Sequence, residues 1–308
     1  IPLTEKYRPQ TLDECVLTNQ TEKLVSQWIA DKYIPDVMLI GVPGIGKTSV
    51  AKMLVKSIGA EYLFVKGSLD RNIDTLRGEI QEFASTASFS GGRKYVILDE
   101  TDKLNPNSTQ QALCNFMEEY NETCGFILTC NYPSKIIEPL HSRCAKLPFT
   151  FSKDEKKEVA AKFYKRLRYI LDTENISYEK EALPPLIMKH FPDWRRIVNE
   201  AEAYSRSGTI NAGILTNFDD EKFGELVKLL RAKKFRDTRI WVGENTDIEF
   251  NELCSKFYNT AFDHLEPISV PEVILTLNKY QYQSAFVMDQ EINTMAFLTE
   301  VMTNAKWK

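Results

Sequence analysis

Between residues 37 and 149, short apolar runs alternate with amphipathic stretches. The apolar runs are Val37–Val42, Tyr62–Val65, Tyr95–Leu98, Phe126–Cys130 and Lys146–Phe149. Runs of this length predict strands, and the 3.6-residue periodicity between them predicts helices near 47–58, 73–87, 107–119 and 135–141. The resulting βαβα rhythm predicts an α/β fold, a parallel sheet with helices on both faces. The Gly91-Gly92 pair separates a helix from the strand at Tyr95.

After Phe151 the strand pattern stops. Residues 153–171 read as a helix with Val159, Phe163, Leu167 and Ile170 on one face. Pro184-Pro185 opens a second helical stretch, and Pro192-Asp193 opens a third that ends near Gly208. Thr209–Asn217 reads as a linker. Residues 219–308 are helical in pattern, broken at Gly243, Pro267 and Pro271. The expected division is an α/β domain over 1–151, a small helical domain over 152–210 and an all-helical domain over 211–308. A chain of 308 residues is too long for one compact core, which agrees with that division.

Composition narrows the class only a little. Hydrophobic residues make up 43% and charged residues 27%, as in an ordinary globular protein. The net charge is −4, from 39 basic and 43 acidic residues, so any nucleic-acid contact must come from basic residues focused locally. The six cysteines form no C-x-x-C pair, which argues against zinc and for a reduced, intracellular setting. No apolar run approaches the length of a membrane span, and no signal peptide is expected. The chain begins at Ile1 rather than Met, which leaves room for residues before it.

The segment Gly41-Val-Pro-Gly-Ile-Gly-Lys-Thr48 matches G-x-x-x-x-G-K-[ST] between an apolar strand and an amphipathic helix that begins at Ser49. Gly41, Gly44 and Gly46, with Ile45 between them, let the backbone N–H groups wrap phosphate oxygens, and the helix N-terminus adds its positive end. Lys47 is expected to reach the outer phosphates, and the Thr48 hydroxyl to ligate Mg²⁺. Tyr95-Val-Ile-Leu-Asp99-Glu100-Thr-Asp102 then sets carboxylates at a strand's carboxyl end, where open α/β sheets bind ligands. Asp99 suits Mg²⁺; Glu100 suits a base or orienter for the attacking water.

The loop and the Asp-Glu pair together resemble AAA+ ATPases. Four further segments resemble the sliding-clamp-loader subunits within them: Lys6-Tyr7-Arg8-Pro9 followed by Leu12-Asp13-Glu14, Thr129-Cys130-Asn131, Ser142-Arg143-Cys144, and Pro192-Asp193-Trp194-Arg195-Arg196. Ser85–Phe89 and the closing Lys306-Trp307-Lys308 are similar to the large subunits of T-even-like bacteriophages. The short span from loop to acidic motif has no room for the zinc module of bacterial clamp-loader ATPases. Pro192 stands where the family usually has Gly, and Cys114 where it often has an Arg.

The resemblance implies a fold of AAA+ P-loop domain, helical lid and helical collar. It implies an ATPase, using ATP and Mg²⁺, that opens a sliding clamp and places it on primer–template DNA within a pentameric spiral of like and unlike loader subunits, in the cytoplasm of a host cell. Tyr7 and Arg8 would lie near the adenine, with Ser49 in the same shell. Asn131 would sense the γ-phosphate, Arg195 would contact it from the lid, and Arg143 would reach a neighbouring subunit's nucleotide. Arg71, Asn72 and Ile73, then Lys103, Asn107 and Gln110, are the expected DNA contacts, with solvated helix caps as the alternative. Phe83 and Phe89 are the expected clamp contacts, Phe83 being equally suited to the core. Two other functions share these motifs: a ring motor such as a branch-migration helicase, which should end in a winged helix with a strand hairpin, and a non-hydrolysing structural loader subunit.

Overall fold

The computed structural model describes residues 1–69, 73–216, 220–260 and 263–308. The chain forms two compact units, Ile1–Ile214 and Leu215–Lys308.

The first unit opens with a short helix, α1 (Leu3–Lys6), and α2 (Asn19–Ala30). The α/β region follows as β1 (Val37–Ile40), α3 (Lys47–Ser57), β2 (Tyr62–Lys66), α4 (Ile73–Ser85), β3 (Lys94–Asp99), α5 (Thr109–Glu119), β4 (Cys124–Cys130), α6 (Glu138–Arg143) and β5 (Ala145–Pro148). The strands make one sheet in the order β2-β3-β4-β1-β5, and every pairing is parallel. β3 and β4 are buried along their whole length. That is why they read as unbroken apolar runs rather than as alternation. Leu76 and Ile80 of α4, Leu113, Phe116 and Met117 of α5, and Leu140 of α6 close one core over Val96, Leu98, Phe126 and Leu128. α3 buries Val50, Ala51, Met53, Leu54 and Val55 and packs on β1, β3 and β4.

Three helices complete this unit: α7 (Lys153–Thr173), α8 (Leu183–His190) and α9 (Trp194–Ser205). A reciprocal cap starts α7, with Ser152 Oγ accepting from Glu155 N–H and Glu155 Oε1 accepting from Ser152 N–H. Phe163 and Trp194 stack at 4.5 Å between α7 and α9. The segment expected as a linker is instead packed up to Ile214. Ile210 pairs with Tyr178 in an isolated bridge, Ile210 and Ile214 are fully buried, and a 3₁₀ turn spans Ala212–Thr216. Its run of small and polar residues hides two isoleucines that are both buried.

The second unit holds α10 (Asp220–Arg231), α11 (Phe235–Glu244), α12 (Phe250–Thr260), α13 (Val270–Ser284) and α14 (Gln290–Asn304). Phe223, Phe257 and Phe297 meet edge to face at its centre, at 5.1 and 5.3 Å. Pro271 does not break a helix: it lies in the first turn of α13, where its missing N–H costs no bond. Among the described residues this unit has no sheet, only one bridge between Leu265 and Trp307. No described helix is long and apolar enough to cross a membrane.

Candidate nucleotide site

The loop from Gly41 to Gly46 leaves β1 and runs into α3. Gly41 N–H donates to Cys130 O of β4 at 3.2 Å, which anchors the loop to the neighbouring strand end. Gly44 has φ +81°, and a Cβ there would lie 1.9 Å from Asp193 Oδ1. Gly46 caps α3 at φ +100°. Both positions therefore need glycine, one for space as well as backbone and one for backbone alone. Ile45 is buried, and Lys47 is buried with its ammonium donating to Gly41 O at 2.7 Å and Val42 O at 2.8 Å. Burial pushes that ammonium down to about 8 against the opposing pull of Asp99 and Asp102.

β3 is separated from β1 by β4, so Asp99 must reach across a strand to meet the loop. It does: Thr48 Oγ1 donates to Asp99 Oδ1 at 2.6 Å, and Thr129 Oγ1 of β4 donates to the same oxygen at 2.8 Å. Glu100 follows in the left-handed region at φ 57°, and its N–H donates to Thr129 Oγ1 at 3.0 Å. Burial raises the Glu100 carboxyl, but the Ser68 hydroxyl with Lys103 and Lys66 outweighs it, and the group lies below its usual value. Asp102 is buried, and its Oδ2 accepts the N–H groups of Asn131 at 3.3 Å and Tyr132 at 3.1 Å. Thr48 and Asp99 are hard oxygen donors already in contact. That fits Mg²⁺, which takes one or two protein oxygens plus substrate phosphates. No larger cluster of His, Cys, Asp or Glu suited to a metal occurs among the described residues.

Beside the loop lies a cavity of about 120 Å³ lined by Tyr7, Arg8, Gly44, Ile45, Gly46, Ser49 and Arg195, all expected from the sequence. The sequence reading missed other walls of it: Val16, Phe163, Arg166, Trp194 and Val198. Arg166 of α7 donates to Tyr7 O at 3.0 Å, and the Tyr7 hydroxyl donates to Glu174. Leu3 N–H donates to Glu202 Oε2 at 3.0 Å. The N-terminal segment is thus tied to the lid helices. Arg195 N–H donates to Gly44 O at 3.2 Å, so the start of α9 rests on the phosphate loop. Asp193 caps α9 by accepting from Arg196 N–H at 3.0 Å. Helical periodicity alone gave Arg166 no signal, because its partner is a backbone carbonyl remote in sequence.

The remaining expected residues fall outside this cavity. Arg143 ends α6, where its guanidinium donates to Pro139 O at 3.1 Å and pairs with Glu118. Lys103 is half-exposed with its ammonium 3.7 Å from Glu100 Oε2, and Asn107 is exposed. Arg71 and Asn72 lie outside the described residues. Three of the expected contact residues are packed into the protein. Gln110 is fully buried, its amide donating to Leu104 O and Lys135 O at 3.0 Å and accepting from Ile137 N–H at 2.9 Å, so its side chain has nothing left for DNA. Ile73 is partly buried and packs its side chain against the sheet core. Phe83 packs at the edge of the same core with the Lys94 ammonium 4.7 Å from its ring, which agrees with the core alternative and not with a free plug for a clamp pocket. Phe89, by contrast, is 101% exposed. Cys114 faces the core of α5, buried among apolar side chains.

A parallel sheet in this strand order, with a phosphate loop leaving β1 and an Asp-Glu pair ending β3, is the framework of an AAA+ ATPase. The family model for ATPases associated with various cellular activities matches residues 37–150. A second model, the AAA+ ATPase lid domain of sliding-clamp-loader large subunits, matches residues 155–216. The chain belongs to the sliding-clamp-loader large-subunit family. It is 30% identical to the sliding-clamp-loader large subunit of Enterobacteria phage T4 over 99% of this chain and 97% of that one. Identity and coverage are the same for the large subunit of Escherichia phage RB69. A replication factor C small subunit from Methanosphaera stadtmanae is 39% identical over 66% of this chain and 62% of its own. A solved Thermotoga maritima RuvB, a Holliday junction branch migration motor, shares the fold with TM-score 0.55 at 16% identity, covering 73% of this chain and 79% of its own.

Proposed function

We propose that this chain is an ATPase subunit of a sliding-clamp loader, which uses ATP binding and hydrolysis to open a clamp and place it on primer–template DNA. The observation that carries the reading is the convergence of the Thr48 and Thr129 hydroxyls on one Asp99 carboxylate oxygen beside a phosphate loop, with a clamp-loader lid resting on that loop. The all-helical second unit lacks, among its described residues, the strand hairpin that a branch-migration motor would bring.

In this reading Lys47 exchanges the carbonyls of Gly41 and Val42 for phosphate oxygens when ATP binds. Thr48 and Asp99 would hold Mg²⁺, which would supply charge neutralisation for the phosphates. Glu100, kept ionised by its neighbours, orients a water and takes its proton as the new O–P bond forms and the bond to the β-phosphate oxygen breaks. Asn131 and Arg195 contact the γ-phosphate from the strand end and the lid. Tyr7 and Arg8 flank the base. Arg143 leaves its Glu118 partner to reach the nucleotide of a neighbouring subunit. The second unit serves as the collar that joins subunits into a spiral, a pentamer by family resemblance. DNA passes along the face carrying Lys103 and Asn107, and Phe89 inserts into the clamp. Hydrolysis then depends on DNA, and the assembly acts in the cytoplasm of the host cell.

The test is clamp loading itself. A labelled ring-shaped clamp should become topologically linked to primed circular DNA when the chain, its co-purifying partners and ATP are present, and not with the Lys47→Ala chain. Equal linkage without ATP would overturn the proposal.

A further inference from the structure

Two side chains lock the end of β4 to the acidic motif after β3, and they do so in opposite directions. From β4, the Thr129 hydroxyl donates to Asp99 Oδ1 and accepts the Glu100 N–H. From the acidic motif, Asp102 Oδ2 accepts the two N–H groups that follow β4, those of Asn131 and Tyr132. Thr129 is 1% exposed, and it is the one hydroxyl in the otherwise apolar strand Cys124–Cys130. A buried strand position of this kind would ordinarily take valine or isoleucine.

We infer that Thr129 is a positioning residue for ATP hydrolysis, an inference that rests on the ATPase reading above. Its two hydrogen bonds, one to a carboxylate and one from a backbone N–H, address two acidic residues that need different things. Asp99 needs a fixed rotamer, and it has one only because Thr48 and Thr129 both point at Oδ1. Glu100 needs a fixed backbone, because φ 57° and ψ 49° are costly for a residue with a Cβ. The Thr129 oxygen gives the Glu100 N–H its partner in that conformation. Asn131 lies two residues beyond Thr129 on the same strand end and is held by Asp102, two residues beyond Glu100. A shift of Asn131 on γ-phosphate contact therefore reaches the Glu100 backbone through two hydrogen-bonded routes and not through solvent.

The experiment compares Thr129→Val, which keeps the shape and loses both hydrogen bonds, with Thr129→Ser, which keeps the hydroxyl. ATP affinity is measured by equilibrium binding of a fluorescent ATP analogue to the full chain. Turnover is measured on the full chain with its co-purifying partners, clamp and primed DNA. The valine variant should bind nucleotide within about twofold of wild type and lose about tenfold or more in kcat, the scale of a hydrogen bond to a charged group expressed only in the reacting complex. The serine variant should recover most of that loss. Should valine unfold the chain, Thr129→Cys, whose thiol fills similar space as a weak donor, takes its place with the same expected loss. Wild-type kcat in the folded valine or cysteine variant, or a serine variant as slow as valine, would overturn the inference. Absence of turnover in the wild-type assembly would overturn the ATPase reading itself, and this inference with it.

Discussion

Lys47 holds a cation among low-dielectric neighbours, its charge spent on two carbonyls of its own loop. Burial lowers it to about 8, so the empty site begins to lose its charge at mildly alkaline pH. Phosphate binds the ammonium and not the amine. Below pH 8 the lysine is already protonated and binding needs no added proton. Above it, each pH unit should weaken MgATP binding by about tenfold until the raised value in the complex is reached. Calorimetric titration across that range should show proton uptake on the alkaline side. Lys47→Arg, which stays charged, should bind with an affinity flat in pH; a wild-type affinity independent of pH would contradict the burial account. The loop was legible in sequence because its chemistry is local: spacing, glycines and a flanking strand suffice. Gln110 was not, because a polar helix start gives no sign of partners contributed by Lys135 and Ile137. Thr129 was read only as part of the motif ending in Asn131. Its role depends on the strand order that sets β4 between β1 and β3.

The strands and most helices followed from hydrophobic period, since burial on both faces of a parallel sheet and on one face of a helix is what the period records. What did not follow was how the N-terminal segment, α7 and α9 meet around the loop. The Asp193 cap shows what was missing. The Pro-Asp pair marks a helix start, but only the fold brings that carboxylate against Gly44. Asp193→Ala removes the cap of α9 and should cost about 1 kcal/mol of stability. It also frees the start of the helix that donates Arg195 N–H to Gly44 O, so ATP affinity should fall with it. Asp193→Asn, an equally good cap, should restore the melting temperature. Chemical denaturation and nucleotide binding on the same samples check both; an alanine variant as stable as wild type would show that the cap bears no load. The boundary between the two units falls within the expected linker at 209–217, but its first part is packed, for a similar reason. Ile210 and Ile214 are too sparse to make a period, yet both are fully buried.

At the scale of the whole molecule, Arg143 is committed to Glu118 and Pro139 at the end of α6. That guanidinium does not line the cavity of its own chain. Supplied to a neighbour, such an arginine is worth about 10³–10⁵ in rate. Hydrolysis should then be a property of the assembly, switched on when clamp and DNA complete it. The most direct measurement is steady-state ATP hydrolysis by the wild-type chain and by Arg143→Ala, each alone and with co-purifying partners, clamp and primed DNA. The account predicts slow turnover by the lone wild-type chain, a sharp rise only when clamp and DNA are both present, and an Arg143→Ala chain that binds ATP normally and shows no rise. Full turnover by the isolated chain, with no response to clamp, or stimulation that survives Arg143→Ala, would contradict it.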